Sequence, residues 1–339
     1  MIRACIIGYG GIAQAHKNAY FALEKEGIAK LVGAFDIEPG QFKKHKEINL
    51  GSSWNAGGDF RCYTNREEML LAEQPDVVDI CLPSYLHADT AVEMLERGYH
   101  VQSEKPMALT FADCRRMLDA ANHAGRHLMI GQCLHFYSEY DYLKRCVEDK
   151  RFGKVLTAYF ERLSSPPRWA WENWFLSYER SGGALTDLHV HDVDMIRYLF
   201  GDPMAVSCRA QSSISKYDSC FTDFYYPDGI PVTAVGDWAL HGFRFRQAYR
   251  VCFEKARLEF ENSGVTVFPY DEDKPWRPDL KPLDGIEGEI RYFAEVIKGK
   301  HPNVKNPPES AAETIRLIET MRISAEKGGE KIAFAEEQP

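Results

Sequence analysis

The sequence predicts an α/β protein with an N-terminal parallel sheet, followed by a C-terminal α/β domain with an open, mostly antiparallel sheet. Three observations support this prediction. Apolar runs alternate with helical patterns over the first ~130 residues, which is typical of a parallel sheet covered by helices. A glycine-rich turn, GYGGIA at residues 8–13, joins the first apolar run to the first helical pattern. Residues 206–267 alternate and are rich in Tyr, Phe, Val and Thr, which favours antiparallel strands.

The first part of the chain alternates predicted strands with predicted helices. The strands cover residues 2–8, 31–36, 77–82, 100–102 and 127–130, and the helices cover residues 11–25, 65–73, 85–97 and 111–124. Asn65 is predicted to cap its helix, and Thr110 with Asp113 matches the pattern of a capping box. Residues 50–60 are polar, rich in glycine and aperiodic, which predicts a surface loop.

The pattern changes after residue 132. Further helices are predicted at residues 139–148, 184–200, 286–298 and 309–327, a strand at 155–163, and a tryptophan-rich loop at 166–175. With 339 residues, the chain is long enough for two domains that each bury a core. We predict a first domain at residues 1–125 and a second at residues 126–339, whose final helix is a candidate to pack back on the first.

The composition argues against several classes of partner. The net charge is −9 and no basic run stands out, so neither nucleic acid nor an anionic membrane is expected to bind. No apolar stretch approaches the ~20 residues that cross a bilayer, and the first strand follows Met1 too closely for a signal peptide. Nine dispersed cysteines without a C-x-x-C pair indicate free thiols and predict a cytoplasmic protein.

The glycine-rich turn has the residues that a dinucleotide pyrophosphate requires. Gly8 permits the tight turn, Gly10 lets the pyrophosphate approach the backbone, and Ala13 lets the helix pack closely. The anion then binds the free N–H groups at the helix N-terminus. Asp36 ends the second strand, where a carboxylate accepts bonds from a ribose diol and repels a 2′-phosphate. The pattern predicts NAD as the cofactor, and the alternative is a glycine-rich turn without a ligand.

Two further patches follow predicted strands of the parallel sheet, where such sheets bind ligands. In the first, the Ser84 hydroxyl is a candidate cofactor contact and Pro83 stiffens the turn; the favoured alternative is an ordinary helix cap with His87 on a solvated face. In the second, Pro106 holds Lys105 in an extended conformation. A lysine at the edge of a nicotinamide site donates to a substrate hydroxyl, and the alternative is a surface lysine in a turn.

A fourth patch, GGALTDLHVHDVD, occupies residues 182–194. Asp187 and His191 are four residues apart and share one face of the predicted helix. The carboxylate orients the imidazole, and an imidazole that titrates near neutrality suits proton removal from an alcohol. Two alternatives stay open: a capped polar helix face, or a metal site formed by His189, His191 and the aspartates. We predict no metal, because His189 and His191 lie on different helix faces.

Three tryptophans, Trp169, Trp171 and Trp174, precede this helix. Their aromatic faces suit the C–H faces of a sugar or polyol while excluding water. The alternative is that they anchor a long loop in the core.

Together these motifs resemble the glucose–fructose oxidoreductase, inositol dehydrogenase and MocA family (Gfo/Idh/MocA) over essentially the whole chain. The resemblance rests on GYGGIA, on PSYLH at residues 83–87, on EKP at residues 104–106 and on the patch at residues 182–194. It implies a Rossmann domain that binds NAD, followed by a substrate-binding and oligomerisation domain. The open sheet of that second domain would form the interface of a homodimer or homotetramer.

The resemblance also implies roles for individual residues. Lys105 would contact the nicotinamide ribose and the reacting hydroxyl, His191 would act as general base in oxidation and acid in reduction, and Asp187 would bind the substrate and tune the histidine. Many relatives carry an Arg near the end of the fifth strand, followed by a Pro. These places correspond here to His135 and Ser138.

The predicted site therefore has three parts. The catalytic residues are Lys105, Asp187 and His191. The cofactor contacts are Gly8, Tyr9, Gly10, Gly11, Ile12, Ala13, Asp36, Ile37, Pro83, Ser84, His87, Glu104 and Lys105. The substrate contacts are Lys105, His135, Trp171, Trp174, Asp187 and His191.

The implied function is NAD-dependent oxidation or reduction at a CH–OH group of a sugar, inositol or related polyol. Two alternative functions remain open. One is a catalytically silent regulator that binds the nucleotide, since a fold alone does not establish chemistry. The other is an NAD-assisted elimination or glycoside-cleaving enzyme, in which the hydride returns within one cycle.

Overall fold

The computed structural model describes residues 1–43, 59–262 and 264–334, so the loop predicted at residues 50–60 lies outside them except for its last two residues. The chain divides into two compact units. The first contains Met1–Phe136, Ala170–Glu172 and Leu283–Ala312, and the second contains Tyr137–Trp169, Asn173–Pro282 and Glu313–Pro339. The functional domains proposed at residues 1–125 and 126–339 stay a prediction.

A six-stranded parallel sheet organises the first unit. Its strands are β1 (Ile2–Ile7), β2 (Ala29–Phe35), β3 (Arg61–Tyr63), β4 (Val77–Ile80), β5 (His100–Ser103) and β6 (Leu128–Ile130). They lie in the order β3-β2-β1-β4-β5-β6, and every pair is parallel. The order reverses between β1 and β4, and such a reversal opens a crevice for ligands at the carboxyl ends of the strands. The predicted parallel sheet is confirmed, and β3, with two exposed residues out of three, is a strand without an apolar signal.

Four helices flank this sheet: α1 (Gly11–Lys25), α2 (Arg66–Glu73), α3 (His87–Glu96) and α4 (Phe111–Ala124). Both predicted helix caps are confirmed. The Asn65 side chain accepts a hydrogen bond from the N–H of Glu68 at 3.1 Å, and Thr110 Oγ1 accepts one from the N–H of Asp113 at 3.1 Å. Each cap satisfies an N–H group that the first turn of a helix leaves unpaired.

The second unit is built on an eight-stranded mixed sheet. Its strands are β7 (Val155–Leu163), β8 (Ala205–Gln211), β9 (Ser219–Tyr225), β10 (Val232–Asp237), β11 (Arg246–Phe253), β12 (Ala256–Glu261), β13 (Gly264–Pro269) and β14 (Ile332–Ala333). They lie in the order β13-β12-β11-β7-β10-β9-β8-β14. Among the described strands, β7 and β10 pair in parallel and all other neighbours are antiparallel. The predicted open, mostly antiparallel sheet is confirmed.

The helices of the second half are α5 (Ser138–Glu148), α6 (Tyr178–Ser181), α7 (Gly183–Asp187), α8 (Val190–Phe200), α9 (Gly285–Ile297) and α10 (Pro308–Glu326). The single helix predicted at residues 184–200 is wrong, because the chain forms α7 and α8 instead. The N–H groups of Leu188 and His189 both donate to the carbonyl of Ala184, at 3.0 and 2.8 Å. That shared acceptor interrupts the regular hydrogen-bond ladder between the two helices.

Helix α9 belongs to the first unit although it lies near the end of the chain. Its Ile290 and Phe293 are buried in the same core cluster as Ile6 of β1 and Leu23 of α1. Within the described ranges, none of the helices has the length and apolar character that spanning a membrane requires. The predicted homo-oligomer and the cytoplasmic location stay predictions.

Candidate active site

The turn after β1 shows why glycine stands at two of its positions. Gly8 has a φ of 90°, and a Cβ there would lie 2.8 Å from the carbonyl oxygen of Cys81. Conformation and space therefore both require glycine. A Cβ on Gly10 would instead meet no described atom within 4 Å, so the backbone is open on that side. Because Gly10 precedes α1 and has no side chain to cap it, the first N–H groups of the helix are available to an anion.

The other residues of this turn differ in what their side chains do. Ala13 is fully buried, as close helix packing requires, and Ile12 is half-buried. The Tyr9 ring is buried and packs against Phe42 and Phe60, with ring centroids 5.0 and 5.9 Å away. Tyr9 and Ala13 therefore use their side chains for the core, which leaves their backbone as the part able to contact a cofactor.

Two backbone groups hold the carboxylate of Asp36 beside the glycine turn. Oδ2 accepts a hydrogen bond from the N–H of Tyr9 at 2.8 Å, and Oδ1 accepts one from the N–H of Glu38 at 2.8 Å. Asp36 is half-buried directly after β2, and the following Ile37 is exposed. A carboxylate at this place is the group that recognises the diol of an adenine ribose.

Ser84, which lies just past β4, carries a buried hydroxyl that has no partner in the part of the chain that the structure describes. The residue is 2% exposed, and its Oγ has no hydrogen-bond partner among the described residues. Pro83 precedes it and starts a short 3-10 helix, Ser84–Leu86. Buried polar groups are normally paired, so this hydroxyl fits a contact with a bound ligand. Together with the open backbone at Gly10 and the fixed Asp36 carboxylate, it shows that the residues present fit a dinucleotide.

His87 is buried, so the favoured alternative of a histidine on a solvated face is wrong. Its Nδ1 lies 2.8 Å from the carbonyl oxygen of Pro106, and its Nε2 lies 2.8 Å from the carbonyl oxygen of Leu82. Burial lowers the pKa of His87, and the two backbone contacts act in the opposite direction. The ring joins the loop after β4 to the turn that carries Lys105. Its predicted contact with the cofactor stays a prediction.

The Glu104-Lys105-Pro106 turn follows β5, and its Lys105–Pro106 peptide bond is cis. Lys105 is half-buried. Glu104 is buried; its Oε2 accepts a hydrogen bond from the N–H of Lys105 at 3.2 Å, and its Oε1 lies 2.9 Å from Nε2 of His16. The Glu104 side chain therefore faces the interior of the first unit and contacts the backbone of the turn.

A buried cluster of ionisable side chains, which the sequence analysis missed, continues from Glu104. Nδ1 of His16 on α1 lies 2.8 Å from Oδ2 of Asp79 on β4, and both residues are fully buried. The hydroxyl of Tyr20 donates to the same Oδ2 at 3.0 Å. Burial lowers the pKa of His16, but the charges and hydrogen bonds of Asp79 and Cys81 outweigh burial and raise it well above 6.5.

Glu289 of α9 completes this cluster. Its Oε1 accepts a hydrogen bond from Nε2 of Gln102 at 3.2 Å. Burial, and then the charge of Glu104, raise the pKa of Glu289 well above 4.5. In the part of the chain that the structure describes, two groups of three metal-ligating side chains have their ligand atoms within 4.8 Å: His16 with Asp79 and Cys81, and His16 with Glu104 and Glu289. Both groups lie in the first unit, and neither includes a residue of the patch at residues 182–194.

Asp187 and His191 belong to the second unit, and Lys105 belongs to the first. Asp187 is the last residue of α7 and is buried, whereas His191 is half-buried in the first turn of α8. His189 between them is fully buried, and its Nε2 lies 3.1 Å from Oγ1 of Thr222. The pairing of Asp187 with His191 in catalysis stays a prediction.

The other two aspartates of the patch contact groups inside the second unit. Asp192 faces the guanidinium of Arg162 with both oxygens, at 3.0 and 3.2 Å. Asp194 accepts a hydrogen bond from the hydroxyl of Thr314 at 2.9 Å, and that hydroxyl accepts one from Arg197 at 2.8 Å. These two carboxylates anchor α8, which carries His191.

The remaining predicted substrate contacts lie in different settings. Trp171 is exposed, and the half-buried Trp174 stacks on Phe175 with the ring centroids 3.9 Å apart. His135 is buried in the first unit, where its Nδ1 lies 3.0 Å from the carbonyl oxygen of Lys305. An exposed indole suits a ligand surface better than a buried imidazole does.

Two family models match this chain. Residues 2–132 match the oxidoreductase family with an NAD-binding Rossmann fold, and residues 140–259 match the GFO/IDH/MocA C-terminal domain. The chain belongs to the Gfo/Idh/MocA family. This match confirms the resemblance and the predicted NAD-binding Rossmann domain.

Curated relatives of this Gfo/Idh/MocA chain include enzymes with different names. D-glucoside 3-dehydrogenase of Escherichia coli (strain K12) is 30% identical over 224 residues, which cover 65% of this chain and 60% of that protein. Inositol 2-dehydrogenase of Rhizobium meliloti (strain 1021) is 26% identical over 253 residues, covering 73% and 70%. 2,7-anhydro-N-acetylneuraminate hydratase of Escherichia coli (strain K12) is 25% identical over 207 residues, covering 58% and 50%. The chain thus spans about half the length of the hydratase.

Solved structures share the whole fold of this family member. A levoglucosan dehydrogenase in complex with NADH and levoglucosan superposes with a TM-score of 0.81, covering 98% of this chain and 99% of that one at 19% identity. At that identity the similarity shows the fold alone.

Proposed function

We propose that this chain is an NAD-dependent dehydrogenase that acts on a CH–OH group of a sugar, inositol or related polyol. One observation carries the proposal: the glycine turn after β1, the orphaned Ser84 hydroxyl after β4 and Lys105 after β5 follow neighbouring parallel strands. The carboxyl ends of neighbouring parallel strands meet at one edge of the sheet, where such sheets bind nucleotides. The relatives named for dehydrogenation of a glucoside and of inositol support the class of substrate.

The first unit supplies the proposed cofactor site. The open backbone at Gly10 and the N-terminus of α1 would bind the pyrophosphate, and Asp36 would accept hydrogen bonds from the adenine ribose. Ser84 would pair its buried hydroxyl with the cofactor. Lys105 would donate to the nicotinamide ribose and to the oxygen of the reacting alcohol, where its positive charge stabilises the developing alkoxide.

The second unit supplies the proposed base. When bound, NAD provides the acceptor for the hydride that leaves the carbinol carbon. His191 takes the proton from the hydroxyl during oxidation and returns it during reduction, while Asp187 binds the substrate and orients the imidazole. Trp171 and Trp174 would pack against the C–H faces of the polyol, with His135 as a further proposed contact.

The test is a panel of sugars and polyols assayed for NADH formation with three variants. Lys105→Ala and His191→Ala are expected to lower turnover by about 10²–10⁴-fold, because each removes a group that acts in proton transfer or charge stabilisation. NAD binding should be unchanged in His191→Ala, whereas Lys105→Ala should still bind NAD with an affinity lowered about 10-fold, because it loses the contact with the nicotinamide ribose. His123→Ala, which changes an exposed histidine on α4, serves as the control and should keep full turnover. Unchanged turnover in the first two variants would refute the proposed roles.

A second candidate is an NAD-assisted elimination in which the hydride returns to the same substrate. It is supported by the relative named 2,7-anhydro-N-acetylneuraminate hydratase. In that case substrate would be consumed only when NAD is present, yet no net NADH would accumulate. Following substrate loss and NADH absorbance in the same reaction separates the two candidates.

A further inference from the structure

We propose that His16, bound between two carboxylates with a proton on each ring nitrogen, is a positioning residue that fixes Glu104 and thereby Lys105. The two carboxylates are those of Asp79 and Glu104. The proposal rests on the proposed function, in which Lys105 contacts the nicotinamide ribose and the reacting hydroxyl.

With both carboxyl groups ionised, the contacts of His16 require two donors on its ring. Nδ1 lies 2.8 Å from Asp79, and Nε2 lies 2.9 Å from Glu104. An ionised carboxylate only accepts hydrogen bonds, and a neutral imidazole has a single N–H. A neutral ring would therefore direct one nitrogen lone pair at a carboxylate oxygen, whereas the imidazolium donates to both. Charge-assisted bonds of this length are among the stronger hydrogen bonds in proteins.

The other groups around the ring are consistent with one cation between two anions. The Tyr20 hydroxyl donates to Asp79 from the same helix that carries His16. Burial and the positive charge of His16 act in opposite directions on Glu104, and the balance lowers the pKa of Glu104. Glu289 differs from Glu104, because burial and the charge of Glu104 raise the pKa of Glu289 well above 4.5. Of the three carboxyl groups in the cluster, Glu104 thus has a lowered pKa and Glu289 a raised one.

Glu104 connects His16 to the turn that carries Lys105. Its Oε2 accepts the backbone N–H of Lys105, and a Cβ on Gly131 would lie 3.1 Å from its Oε1. The carboxylate therefore lies beside Gly131, directly after β6, where a larger residue would crowd it. On the other side of the turn, His87 contacts the carbonyl oxygen of Pro106 at 2.8 Å. The residues on both sides of Lys105 are thus held by hydrogen bonds, and the contact that holds Glu104 comes from His16.

A metal ion is the competing occupant of the same cluster, since His16, Glu104 and Glu289 offer ligand atoms close together. A metal binds a ring nitrogen that carries no proton. Both nitrogens of His16 lie at hydrogen-bond distance from carboxylate oxygens, which places protons there instead. The geometry therefore favours a proton over a metal ion.

The decisive comparison uses two isosteric substitutions in this cluster, Glu104→Gln and Glu289→Gln. Glu104→Gln removes the charge that His16 requires, so that the turn loosens. We expect turnover to fall about 10–100-fold and NAD affinity about 10-fold, because Lys105 loses its position. ADP, which lacks both the nicotinamide and the ribose attached to it, should bind within about twofold of wild type. Glu289→Gln changes a carboxyl group whose pKa burial raises and whose Oε1 bonds Gln102 rather than the turn of Lys105, so it should change all three quantities less than about twofold.

Calorimetric titrations of the full chain with NAD and with ADP give these affinities, and thermal unfolding shows that each variant is folded. His16→Gln should follow Glu104→Gln; if it fails to fold, the isosteric pair still decides. The proposal is overturned if Glu104→Gln and Glu289→Gln behave alike, or if NAD and ADP affinities weaken together. A stoichiometric metal in the purified protein that Glu289→Gln removes would overturn it as well.

Lys105→Ala separates this proposal from the proposed function. If Lys105→Ala weakens NAD binding and Glu104→Gln does not, the positioning role of His16 is wrong and the function stands. If the wild-type protein forms no NADH with any polyol, the function is wrong. An equal loss of NAD affinity in Lys105→Ala and Glu104→Gln would still support the positioning role.

Discussion

Each unit of this protein contains a fully buried histidine close to proposed site residues, and the pKa values of the two histidines shift in opposite directions. His16 in the first unit lies between the carboxylates of Asp79 and Glu104. His189 in the second unit lies 3.1 Å from the hydroxyl of Thr222. Both side chains are 0% exposed, so burial alone does not explain the difference.

The atoms that contact each ring explain why the pKa shifts of the two histidines differ. Burial lowers the pKa of His189 to about 3, and the charge of Arg162 acts in the same direction. Its Nδ1 has no hydrogen-bond partner in the described ranges, and a Cβ on Gly236 would lie 2.8 Å from that atom. Among the described residues no carboxylate raises its pKa to offset the cost of a charge, so this ring is neutral. At His16, carboxylates outweigh the same cost.

The charge of a buried histidine therefore depends on its hydrogen-bond acceptors rather than on its exposed fraction. It also indicates different uses. A buried imidazolium with two carboxylates fixes the elements that carry them, which here are β4 and the turn after β5. A neutral imidazole against a hydroxyl and a glycine mainly fills space between α8 and the sheet of its unit.

The largest expected effect tests the charge of His16. His16→Leu leaves Asp79 and Glu104 buried without their cation, and breaking a buried ion pair in this way costs about 3–5 kcal/mol. We therefore expect a large loss in the free energy of unfolding, measured by urea titration. His123→Leu, at an exposed position on α4, should change stability by less than about 0.5 kcal/mol. A loss at His16 as small as that of the control would contradict the cationic cluster.

The next effect concerns acid stability and has opposite signs for the two histidines. The pKa of His189 is about 3 in the folded chain and near 6.5 when unfolded, so its contribution is present above pH 6.5 and declines as the pH falls. This decline amounts to about 2 kcal/mol between pH 7 and pH 5. The contribution of His16, whose pKa is raised, is present below pH 6.5 and is lost as the pH rises through its folded value.

Urea titrations at pH 7 and pH 5 measure whether the free energy of unfolding falls on acidification as expected for His189. His189→Gln should lose less stability on acidification than wild type, because the side chain that resists protonation is gone. If wild type and His189→Gln lose the same amount, the neutral state of His189 is not the cause.

Local features of this fold were accessible from the sequence because they depend on neighbours in the chain. The roles of Gly8 and Gly10 depend on one turn, and the Asn65 cap depends on the N–H of a residue three positions later. The break between α7 and α8 was not accessible. Leu188 and His189 keep right-handed backbone angles, so the apolar periodicity continues through the break.

The cluster around His16 was not accessible for a different reason. Asp79 lies 63 residues from His16 and Glu104 lies 88 residues away, and strand order brings them together. None of the three residues predicts the cluster by itself. The aspartate lies inside the apolar strand VVDI, the histidine lies in a helix, and the glutamate precedes the lysine of the EKP motif. A charged residue in an otherwise apolar strand is a signal that it needs a buried partner, but it does not name the partner.

The smallest expected effect tests the contact that His189 does make. Thr222→Val removes the hydroxyl opposite Nε2 and keeps the shape of the side chain, so it should cost about 1 kcal/mol in the free energy of unfolding. Thr233→Val on β10 is the matched control, because its hydroxyl donates to Asp223 at a half-buried position where water replaces it. Urea titration should therefore show a larger loss at Thr222 than at Thr233. Equal losses would mean that the buried hydroxyl contributes nothing to the setting of His189, and the contrast with the carboxylates around His16 would lose its physical basis.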